Sequence, residues 1–147
     1  YAFGWFFADG HGGKEAIEIY REHYKPSNRH ETPNPAICVW ALAAETHEEA
    51  QYHFSSRARW QLYRDRGLHL SFETPEVSME QDYNEYEQAR IEELRQKTFV
   101  GTGEEVAERI STLSKQLGVE EVAIVTWAHS DEARRSSYSE IAKAFDM

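Results

Sequence analysis

The feature that most constrains the fold of this chain is an unbroken apolar run from Ala36 to Ala44. A strand with one face in water would alternate apolar and polar residues, whereas a run without alternation is typical of a parallel strand covered on both faces. Pro33 and Pro35 precede the run and prevent a helix there. Thr46 and Glu49 follow it in a capping-box pattern, which predicts the start of a helix. The sequence therefore predicts one strand–helix unit of a parallel sheet.

Three further units have the same order. The run over residues 1–7 is strand-like, and a glycine-rich turn leads from it into a helix that carries Ile17 on its apolar face. A short strand at 98–100 leads into a helix capped by Thr102 and Glu105, and a strand at 121–127 leads into a last helix over 131–145. Between the second and third units, residues 67–97 are predicted to form an irregular insertion with a capping pattern at Ser78 and a charged helix. We treat residues 1–147 as a single unit.

Four such units predict an α/β fold with a parallel sheet and helical crossovers. Two architectures have this order, a doubly wound sheet and half of a (β/α)8 barrel. A whole barrel takes about 250 residues, so a length of 147 residues favours the half barrel.

Composition narrows the class of partner. The formal net charge of −10 disfavours nucleic acid, because an acidic protein repels the phosphate backbone. Cys38 is the single cysteine, so a disulfide or a cysteine-based zinc site within the chain is excluded, and the histidines are not spaced as metal ligands. No apolar run reaches about 18 residues. The sequence predicts a soluble, cytoplasmic protein without a metal and without a membrane partner.

The tail carries a family resemblance. Residues 99–106, FVGTGEEV, resemble the VGTPEEV signature near the end of bacterial luciferase-like, flavin-dependent monooxygenases, with Gly103 in place of the usual proline. The segments LGVEEV at 117–122 and DEAR at 131–134 resemble the closing strand and helix of that family. The opening strand and the turn at 43–50 resemble it in the same order, so the similarity extends over nearly the whole chain.

The resemblance implies the C-terminal half of a luciferase-like (β/α)8 (TIM) barrel. Such a barrel binds reduced FMN, or in some relatives a deazaflavin, at the C-terminal face of its strands, and uses O2 to oxidise a small organic substrate. The family's catalytic histidine and most flavin-phosphate contacts would lie upstream of Tyr1, which opens the chain without an initiator methionine. We therefore expect a fragment that is inactive alone, whose partner is the missing N-terminal half, and an intact protein that forms a homo-oligomer.

Candidate site residues follow from positions at strand ends and in the insertion. The candidates for flavin contact are Trp5, Gly101 and Thr102. The candidates for the wall of a substrate pocket are His11, Tyr83, Tyr86, Trp127 and His129. Four of these candidates have a structural alternative that the sequence leaves open: a core aromatic at Trp5, an ordinary turn at His11, a helix cap at Thr102 and a surface histidine at His129.

A function from another class remains open. The same α/β unit could serve as a non-enzymatic module for flavin binding or subunit association. About four further strand–helix units encoded upstream would support the enzyme, and their absence would support the module.

Overall fold

The computed structural model describes residues 2–4 and 12–147, with side chains from residue 12 onward. Its elements in chain order are β1 (Ala2–Gly4), α1 (Gly13–Glu22), β2 (Ala36–Ala44), α2 (His47–Asp65), α3 (Pro75–Met79), α4 (Glu85–Lys97), β3 (Phe99–Thr102), α5 (Gly103–Leu117), β4 (Glu121–Val125) and α6 (Asp131–Ala144). The strand–helix order predicted from the sequence is confirmed for these residues.

Strand β2 organises the sheet, because β1, β3 and β4 all pair with it and all run parallel to it. Residues 36–38 pair with both β1 and β4, so these two strands lie on opposite edges of β2. The C-terminal part of β2, residues 41–44, pairs with β3. The α/β class and the parallel sheet are thus confirmed.

The strand order differs from that of four consecutive barrel units. Consecutive units would place β4 beside β3, but among the described strands β4 pairs with β2. Barrel helices also form a single outer ring, whereas here helices cover both faces of β2. The half barrel is therefore not confirmed. Pairing partners are set by tertiary contacts that strand–helix periodicity does not encode.

The two faces of β2 belong to two separate apolar clusters. Odd-numbered residues such as Val39 and Ala41 pack with side chains of α1, α5 and α6. Even-numbered residues such as Trp40 and Leu42 pack with α2 and α4. Coverage of both faces explains why the run from Ala36 to Ala44 lacks the alternation of a half-exposed strand.

Local capping signals define most helix ends. The Thr46 hydroxyl accepts a hydrogen bond from the Glu49 N–H at 3.1 Å, which confirms the start of α2. Helix α5 has a complete capping box between Thr102 and Glu105, as predicted. It ends at Leu117 and is capped by Gly118, whose left-handed φ of 61° suits a residue without a Cβ.

The segment 67–97 is more ordered than predicted. The capping prediction at Ser78 is wrong, because Ser78 is buried within α3 and the caps are Thr74 for α3 and Asn84 for α4. Ion pairs attach the segment to α2, including Arg90 to Asp65 at 2.8 Å. Leu94 of α4 is buried in the core beside β2, and the partly buried Ile91 packs against the same core. The segment therefore packs as a layer on α2, in which irregular stretches at 67–74 and 80–84 precede α3 and α4.

Candidate ligand site at the end of the fourth strand

The C-terminal edge of the sheet is where ligands bind in open α/β folds, because strand ends and helix starts meet there. In this protein β4 reaches that edge and continues through residues 126–130 into α6. The first residue after β4, Thr126, is buried, and its hydroxyl donates to the Ala41 carbonyl at 2.8 Å. The strand end is therefore fixed to β2 before the chain turns outward.

Helix α6 also fixes the end of β4. Ser137 is fully buried, and its hydroxyl oxygen accepts a hydrogen bond from the Ala43 N–H at 2.9 Å. The Tyr138 hydroxyl accepts one from the Thr126 N–H at 3.1 Å. Polar contacts thus tie α6, β2 and the end of β4 together beneath the site.

An aromatic cavity lies directly above this support. It has a volume of about 340 Å³ and is bordered by Trp60, Phe72 and Trp127 together with the residues that follow Trp127. The Trp60 and Trp127 rings meet edge to face, with centroids 5.2 Å apart, and Phe72 lies 6.3 Å from Trp60. Because Trp127 keeps 37% of its surface exposed, it offers a ring to an incoming ligand. We call this the β4 cavity.

A buried arginine lies behind the cavity. The Arg57 guanidinium is 4.4 Å from the centroid of Trp40 and 5.5 Å from that of Trp127, within the range of cation–π attraction. Burial lowers the pKa of Arg57 to about 10, because the charged form loses hydration. The side chain still carries its charge at neutral pH, so it adds positive potential behind the rings.

The polar rim of the β4 cavity comes from His129 and Arg134. Arg134 pairs with Asp131 at 2.8 Å, an exposed contact within the first turn of α6. Glu76 of α3 does not border the cavity, and its pKa is lowered to about 2, chiefly because the Tyr52 hydroxyl donates to its carboxylate. The rim therefore offers an imidazole and a guanidinium beside an apolar centre.

The predicted anion site at Gly101 and Thr102 is filled by a side chain. The Glu105 carboxylate accepts from the Thr102 N–H at 2.9 Å and lies 2.9 Å from His47 Nδ1. A Cβ at Gly101 would lie 2.1 Å from the same carboxylate, so the glycine is what lets it approach. His47 and the Thr102 N–H lower the pKa of Glu105. This geometry favours the capping alternative over a bound phosphate.

The remaining predicted pocket residues do not converge. Trp127 and His129 border the β4 cavity, whereas Tyr83 borders a different cavity of about 660 Å³ between α2, α3 and α4. Tyr86 is 77% exposed and borders neither. Trp5 and His11 lie outside the described residues, so their predicted roles remain predictions.

Sequence reasoning missed Arg57 and Trp60. Arg57 is three residues after Phe54, so both lie on the buried face of α2. A charged residue at that spacing in an apolar stripe is the signal that could have found it. Trp60 is three residues further and points to the end of β4. No cluster of three or more His, Cys, Asp or Glu side chains in residues 12–147 could hold a metal ion. No helix of the described chain has the length and apolar character needed to cross a membrane.

Comparison with known proteins links the chain to luciferase-like sequences. It matches no family model. It is 34% identical over 140 residues to the uncharacterized protein YwcH of Bacillus subtilis (strain 168), covering 95% of this chain and 42% of YwcH. It is 23% identical over 124 residues to the luciferase-like monooxygenase of Escherichia coli (strain K12), covering 84% of this chain and 37% of that protein. The chain is similar to a luciferase-like monooxygenase.

A solved structure has the same fold. The crystal structure of apo-MsnO8 superposes with a TM-score of 0.84 at 22% identity, over 99% of this chain and 44% of MsnO8. The chain therefore spans less than half the length of the relatives it matches. The arrangement described above corresponds to a segment of a larger fold.

Proposed function

We propose that this chain forms part of a luciferase-like oxidoreductase that uses reduced FMN, or a deazaflavin, and O2 to oxidise a small organic substrate. The observation that carries the proposal is the aromatic β4 cavity at the C-terminal edge of the sheet, in a chain similar to a luciferase-like monooxygenase. The supporting resemblance extends over most of the chain, from β1 to α6.

The β4 cavity suits the ring system of a flavin. Flat aromatic molecules stack on indole rings, and its volume of about 340 Å³ is near the lower end of the size of small-molecule pockets. Trp127 would contact the ring face, while Trp60 packs against Trp127 and Phe72 packs against Trp60. Arg57 behind Trp127 would favour an electron-rich ring by its positive potential. When bound, a reduced flavin supplies the electrons that activate O2.

In this proposal the side chains of the β4 cavity bind and orient the flavin and take no chemical part in the reaction. His129 and Arg134 would offer hydrogen bonds to polar ring atoms at the rim, and Thr126 keeps the strand end rigid beneath. Phosphate contacts and a catalytic base would come from a further part of the polypeptide, corresponding to the part of the longer relatives that has no counterpart in this chain. We therefore propose that the chain needs a complementary barrel segment for turnover, and that the intact protein is a homo-oligomer.

The sheet leaves room for such a segment. Among the described strands β4 pairs on one edge only, and an unpaired parallel edge readily accepts another strand. Ala123 of β4 is exposed and Cys38 of β2 is half-buried, on the face opposite the α1, α5 and α6 cluster. Additional strands would pair with this edge, and the polypeptide that connects them would cover the N-terminal part of this face, which α2 and α4 leave partly exposed.

The flavin proposal is tested by replacing Trp127 with alanine. Titration of the chain with oxidised FMN, followed by quenching of flavin fluorescence, should show binding that Trp127→Ala weakens about fivefold to tenfold, since an aromatic contact contributes about 1 kcal/mol. Tyr86→Ala is the matched control, because that exposed aromatic borders neither cavity. Equal affinity of Trp127→Ala and the unaltered chain would remove Trp127 from the flavin site.

The need for a complementary segment is tested by denaturing intact-mass analysis of material purified from its native source. A second polypeptide of about 20 kDa would support a two-part enzyme, because this chain covers only 42% of YwcH and the unmatched part of such a relative is somewhat larger than this chain of 17.1 kDa. In that case oxygen consumption with reduced FMN should require both polypeptides. If the 17.1 kDa species alone is present and binds FMN, the non-enzymatic flavin-binding module becomes the better account.

A further inference from the structure

The largest cavity described above lies away from the β4 cavity. It is a groove of about 660 Å³ between α2, α3 and α4, and it shares no bordering residue with the β4 cavity. Its volume falls within the range of about 300–1,000 Å³ that is usual for small-molecule sites. We call it the three-helix groove. The inference drawn from it does not depend on the proposed flavin function.

The base of the three-helix groove is apolar and rigid. Phe54 and Ala58 of α2 border it and are each only 1% exposed, and Ile91 of α4 packs against the same core. Tyr83 closes one end, where its hydroxyl donates to the Ser78 carbonyl at 2.7 Å and fixes the ring. A ligand body in contact with these side chains would have to be apolar.

The opposite end of the groove is polar. Arg95 Nε of α4 donates to Gln51 Oε1 of α2 at 2.7 Å, which bridges the two helices across the groove. Glu92 also pairs with Arg95, and His47 lies beside Gln51. Arg95 neutralises Glu92, and Glu48 adds an exposed carboxylate at this end. A neutral hydrogen-bonding group therefore fits there better than an anionic one.

The spacing along α2 sets the length of the occupant. Gln51 at the polar end and Ala58 at the apolar end are seven residues apart, which corresponds to about 10 Å along a helix. From these observations we propose that the three-helix groove is a ligand site for a neutral, elongated organic molecule with an apolar body about 10 Å long and one hydrogen-bonding head group. The head group lies at Gln51 and Arg95, and the body lies against Phe54, Ala58 and Tyr83.

A pair of fluorescent probes tests the chemistry of the occupant. N-phenyl-1-naphthylamine is neutral, aromatic and has one N–H group, and 8-anilinonaphthalene-1-sulfonate has the same rings with an added negative charge. The full chain should bind the neutral probe saturably at one molecule per chain, and at least about tenfold more tightly than the sulfonate, which equals about 1.4 kcal/mol. Equal affinities, or no saturable binding of the neutral probe, would overturn the proposal.

Groove-filling variants test the location. Ile91→Trp places a large ring into the groove from α4 and should weaken the neutral probe about tenfold or more. Ile19→Trp is the matched control, because Ile19 is 59% exposed on α1 and borders no cavity described here. If Ile91→Trp fails to fold by circular dichroism, Met79→Trp replaces it, since Met79 borders the groove and is 61% exposed.

Three outcomes complete the test. Unchanged probe affinity in the groove-filling variant would show that the probe binds elsewhere and would overturn the assignment. A sedimentation experiment that finds a dimer with no probe bound would assign the groove to a second copy of the chain, which also contradicts a small-molecule site. Trp127→Ala should leave probe affinity unchanged while it weakens FMN, so failure of one proposal is distinguishable from failure of the other.

Discussion

Replacing Ser137 with alanine should destabilise the protein through a single buried hydrogen bond. Ser137 is fully buried, and its oxygen accepts from the Ala43 N–H at 2.9 Å. Its distance to the Thr126 hydroxyl is 3.5 Å, and Thr126 keeps its stronger bond to the Ala41 carbonyl at 2.8 Å. The substitution therefore leaves one donor of the central strand without its acceptor.

The magnitude follows from two opposing effects. A buried donor left without a partner costs about 1–3 kcal/mol. Alanine has a better helix propensity than serine by about 0.5 kcal/mol, which offsets part of the loss. The net decrease in the free energy of unfolding should be about 1–2 kcal/mol. For a domain of this size that lowers Tm by roughly 3–8 °C.

A neighbouring serine provides the control. Ser136 is exposed on the same helix. Ser136→Ala therefore gains the same helix propensity without the loss of a buried hydrogen bond. Urea unfolding of both variants, followed by far-UV circular dichroism, gives the difference directly. If Ser137→Ala is as stable as Ser136→Ala, the hydrogen bond between α6 and β2 contributes nothing and the support assigned to the β4 cavity is refuted.

Two further stability predictions concern the start of α5. Gly103→Ala should lower Tm, because a Cβ there would lie 2.5 Å from the Glu140 carbonyl oxygen of α6, and displacing backbone in a packed contact costs about 1–3 kcal/mol; an unchanged or higher Tm would contradict this contact. His47 lowers the pKa of Glu105 in the folded state, so the unfolded chain binds more protons in acid. The contribution of Glu105 to stability is therefore present above its unfolded pKa of about 4.3 and is lost as pH falls through the lower folded pKa. Urea unfolding should show a smaller loss of stability between pH 6 and pH 3 for Glu105→Gln than for the unaltered chain, and equal losses would argue against the ion pair.

The elements that sequence predicted well are those determined by local chemistry. The apolar run at β2 and the capping box of α5 depend on neighbouring residues, so both were predicted at their correct places. The prediction of a helix cap at Ser78 failed because other residues that can cap a helix lie nearby in the sequence. Thr74 and Asn84 have the geometry that satisfies helix starts, and Ser78 is buried instead.

The features that sequence did not predict depend on distant contacts. Pairing of β4 with β2 joins residues more than eighty positions apart, and helical periodicity carries no information on that choice. The candidate site shows the same limit. Trp127 was placed at a strand end by pattern alone, but the rings that complete the cavity with it, Trp60 and Phe72, come from α2 and the segment after it. Tyr83, grouped with Trp127 from sequence, borders another cavity.

The most direct test of the central claim is a two-dimensional NMR titration of the indole N–H resonances with oxidised FMN. The chain has four tryptophans, so each resonance can be assigned by single substitution. If a flavin binds in the β4 cavity, the Trp60 and Trp127 signals should shift together in a saturable way. Riboflavin should then produce the same shifts at similar affinity, because the contacts proposed for this chain are to the ring and not to the phosphate. FMN-dependent shifts that leave Trp60 and Trp127 unchanged would contradict a flavin site at the end of β4.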